Sequence, residues 1–334
     1  MENLSRENLR VAVVGLGKMG LLHASILNTF PNVELAALCE KSSLIRKFCK
    51  KVFDDVHVVD DLTKLSDLDL DIVYIATPIP SHFGVMDTIY SNKIARHVFT
   101  EKTLASSYDE AKKLCELAQS FGGVNMVGYM KRFAVTFRKA RDLLTQNALG
   151  ELVSFDAYAY SSDFFGSESS KASGSRGGVL KDLGAHIIDL ALWFFDDLEI
   201  ASLKMEQPVT WGSEDSAQFS VNRSNGLEGN FDISWCKENY RMPEFELVIN
   251  GSEGSMKVND DRLELELNDD KSSIWHRHDL NDHVGFLLGA PEYFREDDQF
   301  IKSILEKRNV DSNFYTASKV DYLIDQVKSR AGQA

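Results

Sequence analysis

The stretch "GGVLKDLGAHIIDLALWFF", residues 177 to 195, sets an aspartate and a histidine, Asp182 and His186, four positions apart at the head of an apolar run. Residues i and i+4 of an α-helix share a face, so the carboxylate can orient the imidazole or bind a hydroxyl beside it. Imidazole, with an ordinary pKa of about 6.5, can take a hydroxyl proton near neutrality and return it in the reverse reaction. Oxidation of a secondary alcohol needs such a base together with an acceptor for a hydride. The pair also has a plainer reading. Asp182 lies close enough behind Gly177 and Gly178 to cap a helix or complement its dipole, and His186 can be a satisfied buried residue.

A site for the hydride acceptor is legible near the start of the chain. "VAVVGLGKMG" spaces Gly15, Gly17 and Gly20 as Gly-x-Gly-x-x-Gly, directly after a strand pattern and at the opening of a helical one, with Lys18 and Met19 inside the turn. The first glycine permits a tight turn, the second lets a pyrophosphate approach the backbone, and the third allows close helix-to-strand packing. Phosphates then rest on the free N–H groups of the helix N-terminus. Glu40 ends the next strand pattern, where a carboxylate can accept hydrogen bonds from an adenosine ribose. It would repel a 2′-phosphate, which favours NAD over NADP, while Lys41 and Arg46 nearby keep NADP open. A solvated strand end is the alternative for Glu40.

Two further strand ends, "ATPIPSH" and "FTEKTLA", carry Thr77, Pro78, His82, Glu101 and Lys102. Open parallel sheets bind ligands beyond the carboxyl ends of their strands, so these residues fall where a cofactor would lie. His82 is either a cofactor contact or a helix-start residue with a satisfied ring.

The elements that must position these groups follow two grammars. Over the first third, strand patterns at 10–15, 33–40, 71–77, 97–101 and 124–129 alternate with helical ones at 18–29, 41–51, 81–92 and 106–121. That alternation builds a doubly wound α/β Rossmann domain on a parallel sheet. After residue 150, strand patterns follow one another through short turns, at 227–235, 245–258 and 262–267, before helical stretches at 291–306 and 314–329. This half is α+β, its strand patterns joined by antiparallel hairpins. The Ser/Gly-rich stretch 161–178 reads as a long loop of the kind that covers a ligand. The expected domains are 1–130 for the dinucleotide, 131–310 for substrate and oligomerisation, and a C-terminal helix, 311–334, packing back on the Rossmann domain.

A length of 334 residues suits two domains, and 43% hydrophobic residues can fill both cores. The formal charge of −14 argues against nucleic acid and anionic membranes as partners. Cys39, Cys49, Cys115 and Cys236 show neither metal-site nor disulfide spacing, so no metal is expected and a reducing compartment fits. No signal-peptide pattern or membrane-length apolar run is present, and a cytoplasmic location is expected.

Taken in order, "GLGKMG", "ATPIPSH", "HVFTEKTLA", "VGYMKRF" and "GGVLKDLGAHIIDLALWF" resemble the glucose-fructose oxidoreductase, inositol dehydrogenase and MocA family, from about residue 9 to the last helix. The glycine turn is shared with many dehydrogenases, whereas the Glu-Lys strand end followed by a distant Asp-x-x-x-His is specific. The resemblance implies an N-terminal Rossmann domain, a C-terminal domain built on an open, mixed, largely antiparallel sheet, a nicotinamide held between them, and a homodimer or homotetramer packed through the sheets. It implies Lys102 as the catalytic lysine, with Asp182 and His186 as its partners. One position departs from the family pattern, Thr103 standing where proline is usual after the lysine. The Lys102 ammonium can stabilise a developing alkoxide.

Four more residues are candidates for the substrate. Tyr129 and Arg132 follow the last Rossmann strand and either bind substrate or pack internally; Tyr160, alternating with Tyr158 on a strand, lines a pocket or the core; Arg176 reaches an anionic group or is solvated. The expected activity is NAD(P)-dependent interconversion of a secondary alcohol and a ketone on a sugar, nucleotide sugar or cyclitol. A catalytically silent dinucleotide-binding sensor of the same fold is the alternative.

Overall fold

The structure, a computed structural model, describes residues 8–53, 55–165, 176–206, 214–286 and 289–331. The chain divides into two compact units, the first comprising 1–128 and 285–318, the second 129–284 and 319–334.

The first unit opens with β1 (Leu9–Val14), α1 (Lys18–Leu27), β2 (Val33–Cys39), α2 (Ser43–Val52), β3 (His57–Val59) and β4 (Ile72–Ile75). It continues through α3 (His82–Ser91), β5 (His97–Glu101), α4 (Tyr108–Phe121) and β6 (Asn125–Gly128). Strand order β3-β2-β1-β4-β5-β6, with parallel pairing throughout, is the doubly wound Rossmann arrangement. Val11, Ala12 and Val13 of β1 and Ile72, Val73, Tyr74 and Ile75 of β4 are fully buried, as both-face coverage of a parallel sheet demands. The switch in strand order falls between β1 and β4, so the crevice beyond their carboxyl ends lies at the glycine turn. The three-residue edge strand β3 is too short to leave a periodic signal in the sequence.

The second unit begins with α5 (Val135–Thr145) and β7 (Leu152–Tyr160). A π-helical turn, Leu180–Gly184, runs directly into α6 (Ala185–Phe195). The strands β8 (Glu199–Glu206), β9 (Ser216–Asn222), β10 (Glu228–Ser234), β11 (Glu244–Gly251), β12 (Gly254–Asn259), β13 (Arg262–Leu267) and β14 (Ser272–His276) complete one sheet in the order β14-β13-β12-β11-β7-β10-β9-β8. Among the described residues only β7 and β10 pair in parallel, so the sheet is mixed and largely antiparallel. One face takes Phe155, Ala157 and Ala159 of β7 into the core, where Phe155 stacks on Phe195 of α6 with ring centroids 4.5 Å apart. The other face carries Tyr158 and Tyr160, the period-2 alternation of a strand covered on one side. The middle of the Ser/Gly-rich loop, 166–175, lies outside the described residues.

The chain returns to the first unit with α7 (Glu292–Leu305), and α8 (Phe314–Ala331) spans the division between the units. Among the described residues, no helix is long and apolar enough to cross a membrane.

Candidate active site

Helices α2 and α4 of the first unit start under side-chain caps, Ser42 accepting from the Ile45 N–H and Ser107 from the Glu110 N–H. Helix α1 starts at Gly17 with no side-chain cap, and a Cβ built on Gly17 meets nothing within 4 Å. The N–H groups of its first turn, at Lys18, Met19 and Gly20, have no intrahelical partner, and the space beside Gly17 is open, the geometry that receives a pyrophosphate. The flanking glycines are required sterically. Gly15 has φ +85°, and a Cβ there would lie 2.7 Å from Thr77 Cγ2; on Gly20 it would lie 1.8 Å from the Gly15 carbonyl oxygen. Helix and strand meet too closely for any side chain.

Glu40 braces this turn. Its Oε2 accepts the Leu16 N–H at 2.8 Å and its Oε1 the Ser42 N–H at 2.7 Å. Each oxygen keeps a second lone pair for a ribose hydroxyl. A cavity of about 790 Å³ opens here, lined by Gly15, Glu40, Asp60, Asp61, Thr77 and Pro78 among others. Burial, and then the nearby Asp61, Glu40 and Asp60 carboxylates, push the Cys39 thiol up to about 11. Lys41 also lines the cavity, and Arg46 lies 3.9 Å from Asp60, so cations share this end with the carboxylates. These residues fit an adenine dinucleotide.

His82 is fully buried, its Nδ1 2.8 Å from the Thr103 carbonyl oxygen and its Nε2 2.8 Å from that of Thr77. Burial lowers its pKa, and the two carbonyls work against that. The ring thus ties the β4–α3 turn to the segment after β5. Glu101 at the end of β5 accepts the Lys102 N–H on Oε2 at 3.2 Å, while its Oε1 lies 3.0 Å from Nε2 of His23. Lys102 is half-buried, and the Lys102–Thr103 peptide bond is cis.

In the second unit the π turn carries Asp182 and hands over to α6 at Ala185, one residue before His186. The Asp182 carboxylate receives Arg176 Nη1 at 3.2 Å, and the same nitrogen reaches Asp163 at 2.7 Å. Arg176 and Asp182 are therefore brought together. His186 is half-buried and packs edge-on to Phe245, whose ring also lies 4.7 Å below the Lys131 ammonium. Lys131 is itself paired with Asp260 at 2.7 Å.

The head of this helix is anchored by Glu214. Its carboxylate accepts the Leu180 N–H at 3.2 Å and meets Lys328 Nζ at 3.1 Å, while Lys328 also donates to the Gly177 carbonyl at 2.9 Å. Gly178 has φ +91°, and a Cβ there would fall 2.2 Å from Glu214 Oε1.

Arg132 reaches the same helix at Asp189, three residues beyond His186. Arg132, 5% exposed, forms a two-pronged pair with the fully buried Asp189, Nε to Oδ2 at 2.7 Å and Nη2 to Oδ1 at 2.5 Å. Tyr129 is fully buried within the same unit. Tyr160 donates to Asp232 at 2.7 Å and stacks on Tyr158, on the sheet face opposite to His186 and Phe245. Phe245 and Glu214 carried no motif in the sequence, and Lys131 lay unremarked within "VGYMKRF"; only folding brings them beside the Asp182–His186 segment. Among the described residues, no group of three or more His, Cys, Asp or Glu side chains could hold a metal ion.

Comparison with known proteins agrees with this architecture. Residues 9–129 match the family model described as "Oxidoreductase family, NAD-binding Rossmann fold", and residues 137–257 match "GFO/IDH/MocA C-terminal domain". An uncharacterized oxidoreductase of Schizosaccharomyces pombe is 29% identical over 203 residues, covering 59% of this chain and 54% of that protein. The chain thus aligns with about half the length of that relative. D-glucoside 3-dehydrogenase of Escherichia coli is 25% identical over 256 residues, covering 70% of this chain and 71% of the enzyme. A structure of levoglucosan dehydrogenase in complex with NADH superposes with a TM-score of 0.86 at 20% identity, over 98% of this chain and 97% of that one.

Proposed function

This chain belongs to the GFO/IDH/MocA oxidoreductase family, and on that premise we propose that it interconverts a secondary alcohol and a ketone on a sugar, nucleotide sugar or cyclitol with a nicotinamide dinucleotide. The observation that carries the reading is the uncapped, unobstructed start of α1 at Gly17, braced by Glu40 beside a cavity. Lys18, Met19 and Gly20 hold the pyrophosphate through their N–H groups, and Glu40 holds the adenosine ribose, with NAD preferred. When bound, the nicotinamide supplies the hydride acceptor or donor.

The remaining work falls to side chains. His186 accepts the substrate hydroxyl proton in the oxidative direction and returns it to the carbonyl oxygen in reduction. The Lys102 ammonium stabilises the alkoxide as that proton leaves. Asp182, kept in place by Arg176, binds a neighbouring hydroxyl. The relatives named as sugar dehydrogenases support a polyol-like substrate. The second unit would serve substrate binding and, on the Tyr158–Tyr160 face of its sheet, pairing with another copy of the chain in a dimer or tetramer, in the reducing cytoplasm.

The test mixes the purified protein with NAD and a panel of polyols, cyclitols and nucleotide sugars and follows absorbance at 340 nm. Loss of turnover in His186→Ala with NAD binding retained supports the assignment. Undiminished turnover in that variant would remove His186 as the base.

A further inference from the structure

The first unit buries an ionisable cluster that the proposed chemistry does not use. His23 projects from α1, is fully buried, and has a carboxylate against each ring nitrogen: both Asp297 oxygens lie 2.9 and 3.0 Å from Nδ1, and Glu101 Oε1 lies 3.0 Å from Nε2. A neutral imidazole has a single N–H, so one nitrogen would aim its lone pair at a carboxylate; only the imidazolium donates on both sides. Burial by itself would depress the His23 pKa, but Asp297 and Glu101 outweigh it and hold the value well above the ordinary histidine range. Burial lifts the Asp297 carboxyl too, and the imidazolium beside it opposes that rise.

The surroundings are aromatic. Tyr74 from β4 lies 5.6 Å from the imidazole; Phe99 from β5 lies 5.1 Å away, and Tyr293 from α7 meets the ring edge-on at 6.2 Å. Glu296, fully buried on α7, acts on the Tyr74 hydroxyl. The charged and titratable groups facing the imidazolium are thus Tyr74 of β4, Glu101 of β5, and Tyr293, Glu296 and Asp297 of α7.

A site walled by Tyr74, Phe99 and Phe300 could be filled by an apolar side chain. Buried ion pairs are poor stabilisers, because desolvation of the charges offsets their attraction. What the cluster achieves that an apolar filling could not is control of Glu101. One Glu101 oxygen is held by His23, which leaves the other to receive the Lys102 backbone N–H. A continuous connection runs from the glycine turn through α1 to His23, Glu101 and Lys102.

We propose that His23 is a positioning residue: clamped between Asp297 and Glu101, its imidazole fixes the Glu101 carboxylate and thereby the backbone pose of Lys102, tying the helix that starts at the glycine turn to the strand end that carries the lysine. The part of this concerning turnover rests on the alcohol–ketone activity proposed above; the part concerning His23, Glu101 and Lys102 does not.

The experiment has arms that separate the two. Competitive acetylation with acetic anhydride, read by mass spectrometry, compares the reactivity of Lys102 with that of other lysines in the parent, His23→Gln and Asp297→Asn, without substrate. Both variants are expected to change Lys102 reactivity by about fivefold or more while other lysines stay within about twofold. Where the parent turns over, kcat should fall about tenfold or more with KM for NAD changed less than about threefold. Folded variants whose Lys102 reactivity matches the parent overturn the proposal, whatever the activity. So does a uniform loss in which kcat, NAD affinity and all lysine reactivities move together, the mark of a structural role alone. If both variants fail to fold, nitrogen-15 spectra of histidine-labelled parent protein decide. An imidazolium protonated on both nitrogens from about pH 6 to about pH 8.5 supports the clamp, and no histidine keeping both protons over that range overturns it.

Discussion

The pair Arg132–Asp189 separates a substrate-binding arginine from a structural one. Arg132 is 5% exposed and Asp189 fully buried, so replacing Arg132 by methionine leaves a carboxylate enclosed without its counter-charge. Breaking one side of a buried pair costs about 3–5 kcal/mol. For a unit of this size each kcal/mol moves the melting temperature by about 2–4 °C, so Arg132→Met should melt roughly 6–20 °C below the parent. The deficit should also depend on pH. Burial raises the Asp189 pKa, and removing the guanidinium takes away the opposing influence. A folded carboxyl with a raised pKa binds more protons than the unfolded one, so stability is present at low pH and is lost as pH rises through the folded value. The variant should therefore be closer to the parent at pH 5 than at pH 8. The companion Arg132→Met/Asp189→Leu variant, which removes both charges, should recover most of the loss. Thermal melts by near-UV circular dichroism at the two pH values, alongside KM for any turned-over substrate, are the assay. An Arg132→Met protein that melts within about 2 °C of the parent yet loses substrate affinity would refute the structural reading and return Arg132 to the substrate site.

Three further outcomes are expected. Glu40→Ala removes acceptors for the Leu16 and Ser42 N–H groups and should weaken NAD about tenfold while narrowing its preference over NADP; an unchanged NAD-to-NADP affinity ratio in fluorescence titrations would contradict the assigned role. Gly178→Ala places a Cβ 2.2 Å from Glu214 Oε1 and should lower kcat about tenfold or more with NAD affinity preserved, so a parent-like kcat would show that the anchored turn does not matter to catalysis. His97 is pushed down to about 4 by burial and then by Arg96, and its Nδ1 accepts the Val124 N–H at 2.9 Å. A histidine neutral in the fold but able to charge when unfolded contributes stability that is complete above about pH 6.5 and is lost as pH falls toward 4. Melting of His97→Asn should consequently fall less steeply over that window than melting of the parent, and parallel curves would remove His97 as a cause.

Much of the first unit was legible before folding because its signals are local. The glycine spacing, the strand ahead of it and the helix after it lie within a few tens of residues, and each expected Rossmann strand and helix has its counterpart in β1, β2, β4, β5, β6 and α1 to α4. In the second unit the patterns at 227–235, 245–258 and 262–267 became β10, the β11–β12 hairpin and β13. The three-residue β3 is too short to stand out, while the helix α5 and the strands β8, β9 and β14 went unmarked although Ala217, Phe219 and Val221 alternate with polar residues along β9. The π turn was invisible for another reason: a single-turn change of hydrogen-bond register leaves the residue pattern "KDLGAH" looking like ordinary helix.

What the chain by itself determined is therefore the family, the two kinds of sheet and the cradle at Gly15, Gly17 and Gly20, since those depend on period, turn chemistry and the absence of side chains at fixed spacing. Tertiary structure alone decided which polar groups meet. Strand alternation puts Tyr158 and Tyr160 on one face, but only the packing of α6 against Phe155 left that face open. Arg132 and Asp189 are 57 residues apart, and His23 and Asp297 are 274 apart. No periodicity links such positions, because a buried charge is satisfied by whatever the fold carries to it, and that partner is chosen by sheet order and helix packing rather than by neighbours in sequence.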